Sequence, residues 1–213
     1  MRAVLAELAG TFALVLVGTG AVALGAPPAA VALAFGLVVA AAIAALGGVS
    51  GAHINPAVTL AVWLTGRLGG RAAAGYVVAQ CAGAIAGSFA VLALAPRGPL
   101  GATVPAVPPG AALGLEALIT FVLMTVILGV TERRRAPRLG VALAVGATVG
   151  LAAWIVGPLT GASMNPARSL GPAVASGDLV HLWLYAAAPS AGAVLAVIVC
   201  RVRRPGCCRG GPC

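Results

Sequence analysis

One decapeptide occurs twice in this chain, and that constrains its fold more than any other feature. Gly51-Ala52-His53-Ile54-Asn55-Pro56-Ala57-Val58-Thr59-Leu60 returns 110 residues later as Gly161-Ala162-Ser163-Met164-Asn165-Pro166-Ala167-Arg168-Ser169-Leu170. A second pair accompanies it: Glu7, Thr11 and Phe12 recur as Glu116, Thr120 and Phe121 at an offset of 109 residues. Two matched motifs imply two matched halves.

The surroundings of the repeats decide the solvent. Apolar residues make up 61% of the 213-residue chain and charged residues 8%, which excludes an ordinary soluble domain. Six apolar segments, 4–24, 29–46, 72–95, 112–130, 139–156 and 182–202, are long enough to cross about 30 Å of hydrocarbon. Lipid satisfies no backbone polar group, so each is expected to be helical. The 30 glycines and the many alanines suit close packing between membrane helices. Three spans per half is an odd number, so the halves must be inverted relative to each other. The expected organisation is one transmembrane domain, 1–213, with repeats at about 1–95 and 111–203, a Pro- and Gly-rich extracellular linker at 96–110 and a cytoplasmic tail at 204–213.

Charge distribution orients the chain. All thirteen basic residues are arginine, and the net charge is +9. With a cytoplasmic N-terminus, Arg2, Arg67, Arg71, Arg133, Arg134, Arg135, Arg138, Arg201, Arg203, Arg204 and Arg209 fall inside and Arg97 outside. That asymmetry follows the positive-inside rule and makes nucleic-acid binding the weaker explanation of the charge. Both termini are then cytoplasmic. The first segment has the look of a secretory signal, but Glu7 within it and its place in the repeat argue that it is retained.

Each Asn-Pro-Ala opens an apolar stretch, 57–64 or 167–174, that is too short to span. Proline suits a first helical turn and asparagine caps it. The expected structures are half-helices that re-enter the bilayer from opposite faces, and irregular backbone at that depth must line a wet cavity or be buried in protein.

With these motifs in place, the chain resembles the aquaporin and glycerol-facilitator family, the major intrinsic proteins, over essentially its whole length. The absence of lysine fits a bacterial member from a GC-rich genome. The resemblance implies an all-α membrane protein of six transmembrane helices plus two re-entrant half-helices, assembled as a homotetramer in the plasma or inner membrane. It implies a passive channel for water and other small neutral solutes that excludes protons and ions. The pore motifs are then Asn55, Pro56, Ala57, Asn165, Pro166 and Ala167. Two positive helix ends meet at mid-membrane, and the asparagine amides donate to a passing water. A selectivity filter of Phe35, Ala153, Ala162 and Arg168 follows from the same resemblance. Alanine at 153, where strictly water-selective relatives carry histidine, implies a filter open to ammonia, urea, small polyols or metalloid acids. Trp154 would block that site if the helix were rotated by one residue.

Glu7 and Glu116, expensive in apolar helices, are implied to hold the re-entrant loops through backbone amides. Trp63, Trp183, Tyr185 and His181 read as interfacial, and His53 as packing within its loop. Cys81 and Cys200 read as packing residues. Cys207, Cys208 and Cys213 lie in the tail, where a cytoplasmic location argues against disulfides. No catalytic or metal-ligating constellation is apparent, so neither an enzyme nor a cofactor is expected. The alternative from another class is a non-conducting adhesive protein that uses this fold.

Overall fold

A computed structural model of the protein describes residues 1–96, 99–131 and 137–203. It contains α1 (Arg2–Ala23), α2 (Pro28–Leu46), α3 (Pro56–Leu64), α4 (Gly70–Leu94), α5 (Pro109–Thr131), α6 (Arg138–Thr160), α7 (Pro166–Ser176) and α8 (Leu182–Arg203). Six of these helices are long and apolar enough to span a membrane. The other two, α3 and α7, have 9 and 11 residues and start at the duplicated prolines. The expected arginine positions Arg97, Arg133, Arg134, Arg135, Arg204 and Arg209 lie outside the described residues, as do Cys207, Cys208 and Cys213.

The packing follows the repeat. Helix α1 pairs with α4 as α5 pairs with α8, and α1 meets α2 as α5 meets α6. Each half-helix packs mainly on the long helix of the other half, α3 on α8 and α7 on α4, and α2 crosses α6 between the halves. Glycine makes the three principal crossings possible. A Cβ on Gly83 would stand 2.3 Å from the Leu8 carbonyl oxygen, and one on its repeat mate Gly192 would stand 2.1 Å from that of Ala117. Gly36 and Gly146 face each other across the α2–α6 crossing, where a Cβ on Gly146 would lie 2.5 Å from the Gly36 oxygen. Backbones approach this closely because dispersion and fit, rather than a hydrophobic force, hold helices together in lipid.

Two sequence expectations are corrected. Tyr185 is not interfacial: it is fully buried, and its hydroxyl donates to the Thr160 carbonyl at 2.6 Å. Its mate Tyr76 does the same for Ser50 at 2.9 Å, so both tyrosines brace re-entrant loops rather than anchor the chain at a headgroup layer. Helix α6 does not stop before Pro158 but runs through it to Thr160, an interruption membrane helices tolerate when neighbours take up the freed backbone group. Cys200 packs beside the α3–α5–α8 core as expected, and Cys81 is a free thiol.

Candidate functional site

The two re-entrant loops meet head to head. Asn55 and Asn165 both have extended backbone (φ −157° and −148°) and cap α3 and α7. The Oδ1 of each accepts the amide N–H two residues on, from Ala57 at 2.9 Å and from Ala167 at 3.0 Å. That bond fixes the amide plane and turns Nδ2 toward the opposite half. Asn55 Nδ2 donates to the Met164 carbonyl and Asn165 Nδ2 to that of Ile54, both at 2.8 Å. Each NH₂ carries two hydrogens, so one braces the halves and one is left for a molecule in the channel. Capping and donation into the channel are therefore compatible in one side chain.

A buried carboxylate holds each loop. Glu7 Oε1 accepts from the Ser50 hydroxyl at 2.6 Å and the His53 amide at 2.9 Å, and Oε2 accepts from the Ile54 amide at 2.6 Å. Glu116 repeats the pattern with Thr160 at 2.7 Å, Ser163 at 2.8 Å and Met164 at 2.9 Å. These bonds hold backbone that alanine and β-branched residues seldom adopt. Ala52 and Ile54 have φ +48° and +43°, and Ala162 and Met164 have +41° and +52°. Such conformations cost on the order of 1–3 kcal/mol each and persist only where the surroundings determine them.

The halves differ in one prop. Gln80 of α4 donates through Nε2 to both Glu7 Oε2 (2.7 Å) and Thr59 Oγ1 (2.8 Å). Its repeat position is Pro189, and in that half Thr103 of the linker reaches in to Ser169 at 2.9 Å. Gln80, Thr103 and the bracing role of both tyrosines do not follow from the duplicated motifs. Tyr76 and Tyr185 were detectable, because they share the offset of the two glutamates; Gln80 and Thr103 break the repeat and carry no such signal.

A cavity of about 230 Å³ passes between the loops, from Arg67 and Thr131 at one end to Arg168 at the other. Phe35, Ala153, Ala162 and Arg168 line it together with both capping asparagines. At position 153 the cavity wall is a methyl group. Trp154 points away, 59% exposed on the outer face, so the register that would block the passage does not occur. Arg168 is buried; its Nη1 donates to the Gly101 carbonyl at 2.7 Å, and its Cζ lies 4.8 Å from the Phe35 ring centroid. An aromatic face and a carbonyl are what a desolvated guanidinium needs. Arg168 Nε has no partner among the described residues. Gly101 (φ +66°) belongs to the linker, which the sequence read as a mere connection. A Cβ there would collide with Thr19 at 2.6 Å, so the segment that presents this carbonyl is tightly seated. His53 lines the opposite half of the cavity, its Nδ1 3.2 Å from Thr59 Oγ1 and its ring edge-on to Tyr76.

The family model described as Major intrinsic protein matches residues 1–200. The chain belongs to that family. It is 42% identical to a glycerol uptake facilitator protein-like protein of Lactiplantibacillus plantarum, over 95% of this chain and 98% of that one. A probable aquaporin of Archaeoglobus fulgidus is 41% identical, with 90% and 92% covered. The X-ray structure of the aquaglyceroporin from Plasmodium falciparum superposes with a TM-score of 0.85 over 96% of this chain and 97% of that one; at 24% identity it speaks for the fold alone. A major intrinsic protein with six apolar spans is a multi-pass membrane protein, and the features above are those of a passage through it.

Proposed function

We propose that the protein is a passive channel for water and small neutral solutes, and the observation that carries this reading is the continuous cavity lined at once by both capping asparagines and by Arg168. The N-termini of α3 and α7 converge there, each worth about half a positive elementary charge. Cations and hydronium meet that barrier and then Arg168, while a neutral molecule meets donors it can use. A water that accepts from Asn55 and Asn165 is oriented against relaying a proton along the file.

In this reading Phe35, Ala153, Ala162 and Arg168 form the selectivity filter, and Glu7 and Glu116 hold the loops. The whole chain is one channel domain of two repeats joined by the 96–110 linker. Both termini face the cytoplasm of the plasma or inner membrane. The protomers form a homotetramer, an arrangement favoured by the apolar groove of about 510 Å³ on the outer face of α2 and α6. Relatives carry glycerol-facilitator and aquaporin names, which supports a substrate range of water with a small polyol; urea, ammonia and metalloid acids join that range because position 153 is walled by a methyl group. A non-conducting adhesive role would need no open passage between the loops, and the cavity argues against it.

Ala153→His tests the placement of the filter. The imidazole would fill the side now walled by a methyl group. In proteoliposomes under glycerol or urea gradients, solute entry is expected to fall at least tenfold, the scale on which a pocket discriminates by steric fit, with water flux retained. Unchanged solute entry would place the filter elsewhere.

A further inference from the structure

The inverted repeat gives the residues at the Arg168 end of the cavity a set of mates across the asparagine pair, and the mates differ in chemistry. A shift of 110 residues takes Phe35 to Val145, Ala153 to Ile43, Ala162 to Ala52 and Arg168 to Val58. All four mates line the same cavity, and none is more than 8% exposed. The two ends are built alike, down to the left-handed backbone of Ala52 and Ala162, but they carry different side chains.

At one end stand a guanidinium and an aromatic face. At the other stand Ile43, Val58 and Val145, all β-branched and therefore stiff at χ1. The filling is exchanged too. Gly18 leaves room for the Phe35 ring, since a Cβ on it would lie 2.2 Å from a ring carbon, whereas its mate Ile127 carries a full side chain into the cavity lining. On this half, among the described residues, the lining side chains between the mouth and Asn55 are apolar apart from His53, already engaged by Thr59, and the mouth residues Arg67 and Thr131.

We propose that Ile43, Val58 and Val145 form a second selectivity element, an apolar collar on the side of the asparagine pair away from Arg168. It rests on the channel reading above and deepens it. The Arg168 end sorts solutes by charge and width. The collar sorts them by how many hydrogen bonds they must give up, because its side chains return none and each unreplaced bond raises the barrier. Water in single file keeps bonds to its neighbours; a polyol with several hydroxyls cannot do so to the same extent. Neutral solutes that pass the open Ala153 side thus meet a second, chemically independent sieve.

Two variants read the collar in proteoliposomes by stopped-flow light scattering. Val145→Thr keeps the shape and adds one hydroxyl; the glycerol-to-water permeability ratio is expected to rise about two- to tenfold, the worth of one net hydrogen bond. Ile43→Ala removes three carbons and widens the ring; glycerol and urea entry is expected to rise at least about tenfold, the lower end of what a single methylene is worth in a pocket. The readout in both is the ratio of solute to water permeability rather than water flux alone. If one variant fails to reconstitute, the other carries the comparison. Conducting variants whose solute-to-water ratios match wild type overturn the collar and leave the channel intact. A wild type that conducts no water overturns the channel reading and the collar with it.

Discussion

Glu116→Ala is expected to yield no stable, water-conducting protein, whereas Glu116→Gln should retain a fraction of both stability and flux. The alanine leaves the Thr160 hydroxyl and the Ser163 and Met164 amides without the acceptor they share. At about 1–3 kcal/mol for each buried donor left unsatisfied, the loss approaches the 5–15 kcal/mol that holds a typical domain folded. The positive φ of Ala162 and Met164 is then left to weaker props such as the bond from Asn55 Nδ2 to the Met164 carbonyl, and Arg168 loses the nearby negative charge that offsets its own. Glutamine keeps one oxygen for Thr160 and Ser163 but turns an NH₂ toward the Met164 amide, donor against donor. Its cost is expected at about 1–3 kcal/mol, a single unsatisfied pair. Thermal unfolding in detergent, followed by circular dichroism, ranks the three proteins. An alanine variant that melts with wild type would mean the carboxylate does not hold the loop.

Arg168→Val gives the filter end the residue that its mate Val58 already supplies at the other. A charge that repels a passing cation at about 4–5 Å in an effective dielectric near 20 contributes about 3–4 kcal/mol. Its removal is expected to raise proton and small-cation leak on the order of 10²- to 10³-fold, since about 1.4 kcal/mol is tenfold. The facing ends of α3 and α7 remain and keep the leak below that of an open pore. Urea and glycerol entry should rise as well, because the guanidinium no longer narrows the cavity it lines. A pH-sensitive dye trapped in proteoliposomes under an imposed proton gradient reads the first effect directly. An unchanged dye trace would assign the whole barrier to the half-helices.

Much of this architecture is legible in the sequence because membrane constraints are severe. Apolar runs of spanning length have to be helices, and a proline with an asparagine before it marks where a short helix begins, so α3 and α7 start at Pro56 and Pro166 as the motifs indicate. The positions of Glu7 and Glu116 were likewise open to reading, since a carboxylate in an apolar helix demands donors. What resisted reading depends on tertiary neighbours. Tyr185 has an aromatic's usual preference for the interface, and only the carbonyl of Thr160, packed beside it, makes burial favourable. The left-handed backbone of Gly51 and Gly161 continues onto Ala52 and Ala162, residues whose type does not announce it. The linker looked like a connection because a carbonyl, as at Gly101, is common to every residue and leaves no trace in a sequence. Gln80 and Thr103 stood outside the repeat, the one instrument that could have paired them with a purpose.

The central claim, that water crosses through this chain, is tested most directly by stopped-flow light scattering of proteoliposomes holding the purified wild-type protein, exposed to a sucrose gradient over a range of temperatures. The expected result is shrinkage much faster than that of empty liposomes of the same lipid, with a weaker temperature dependence than bare bilayer shows. Shrinkage at the rate and temperature dependence of empty liposomes, from protein shown to be folded and inserted, would contradict it.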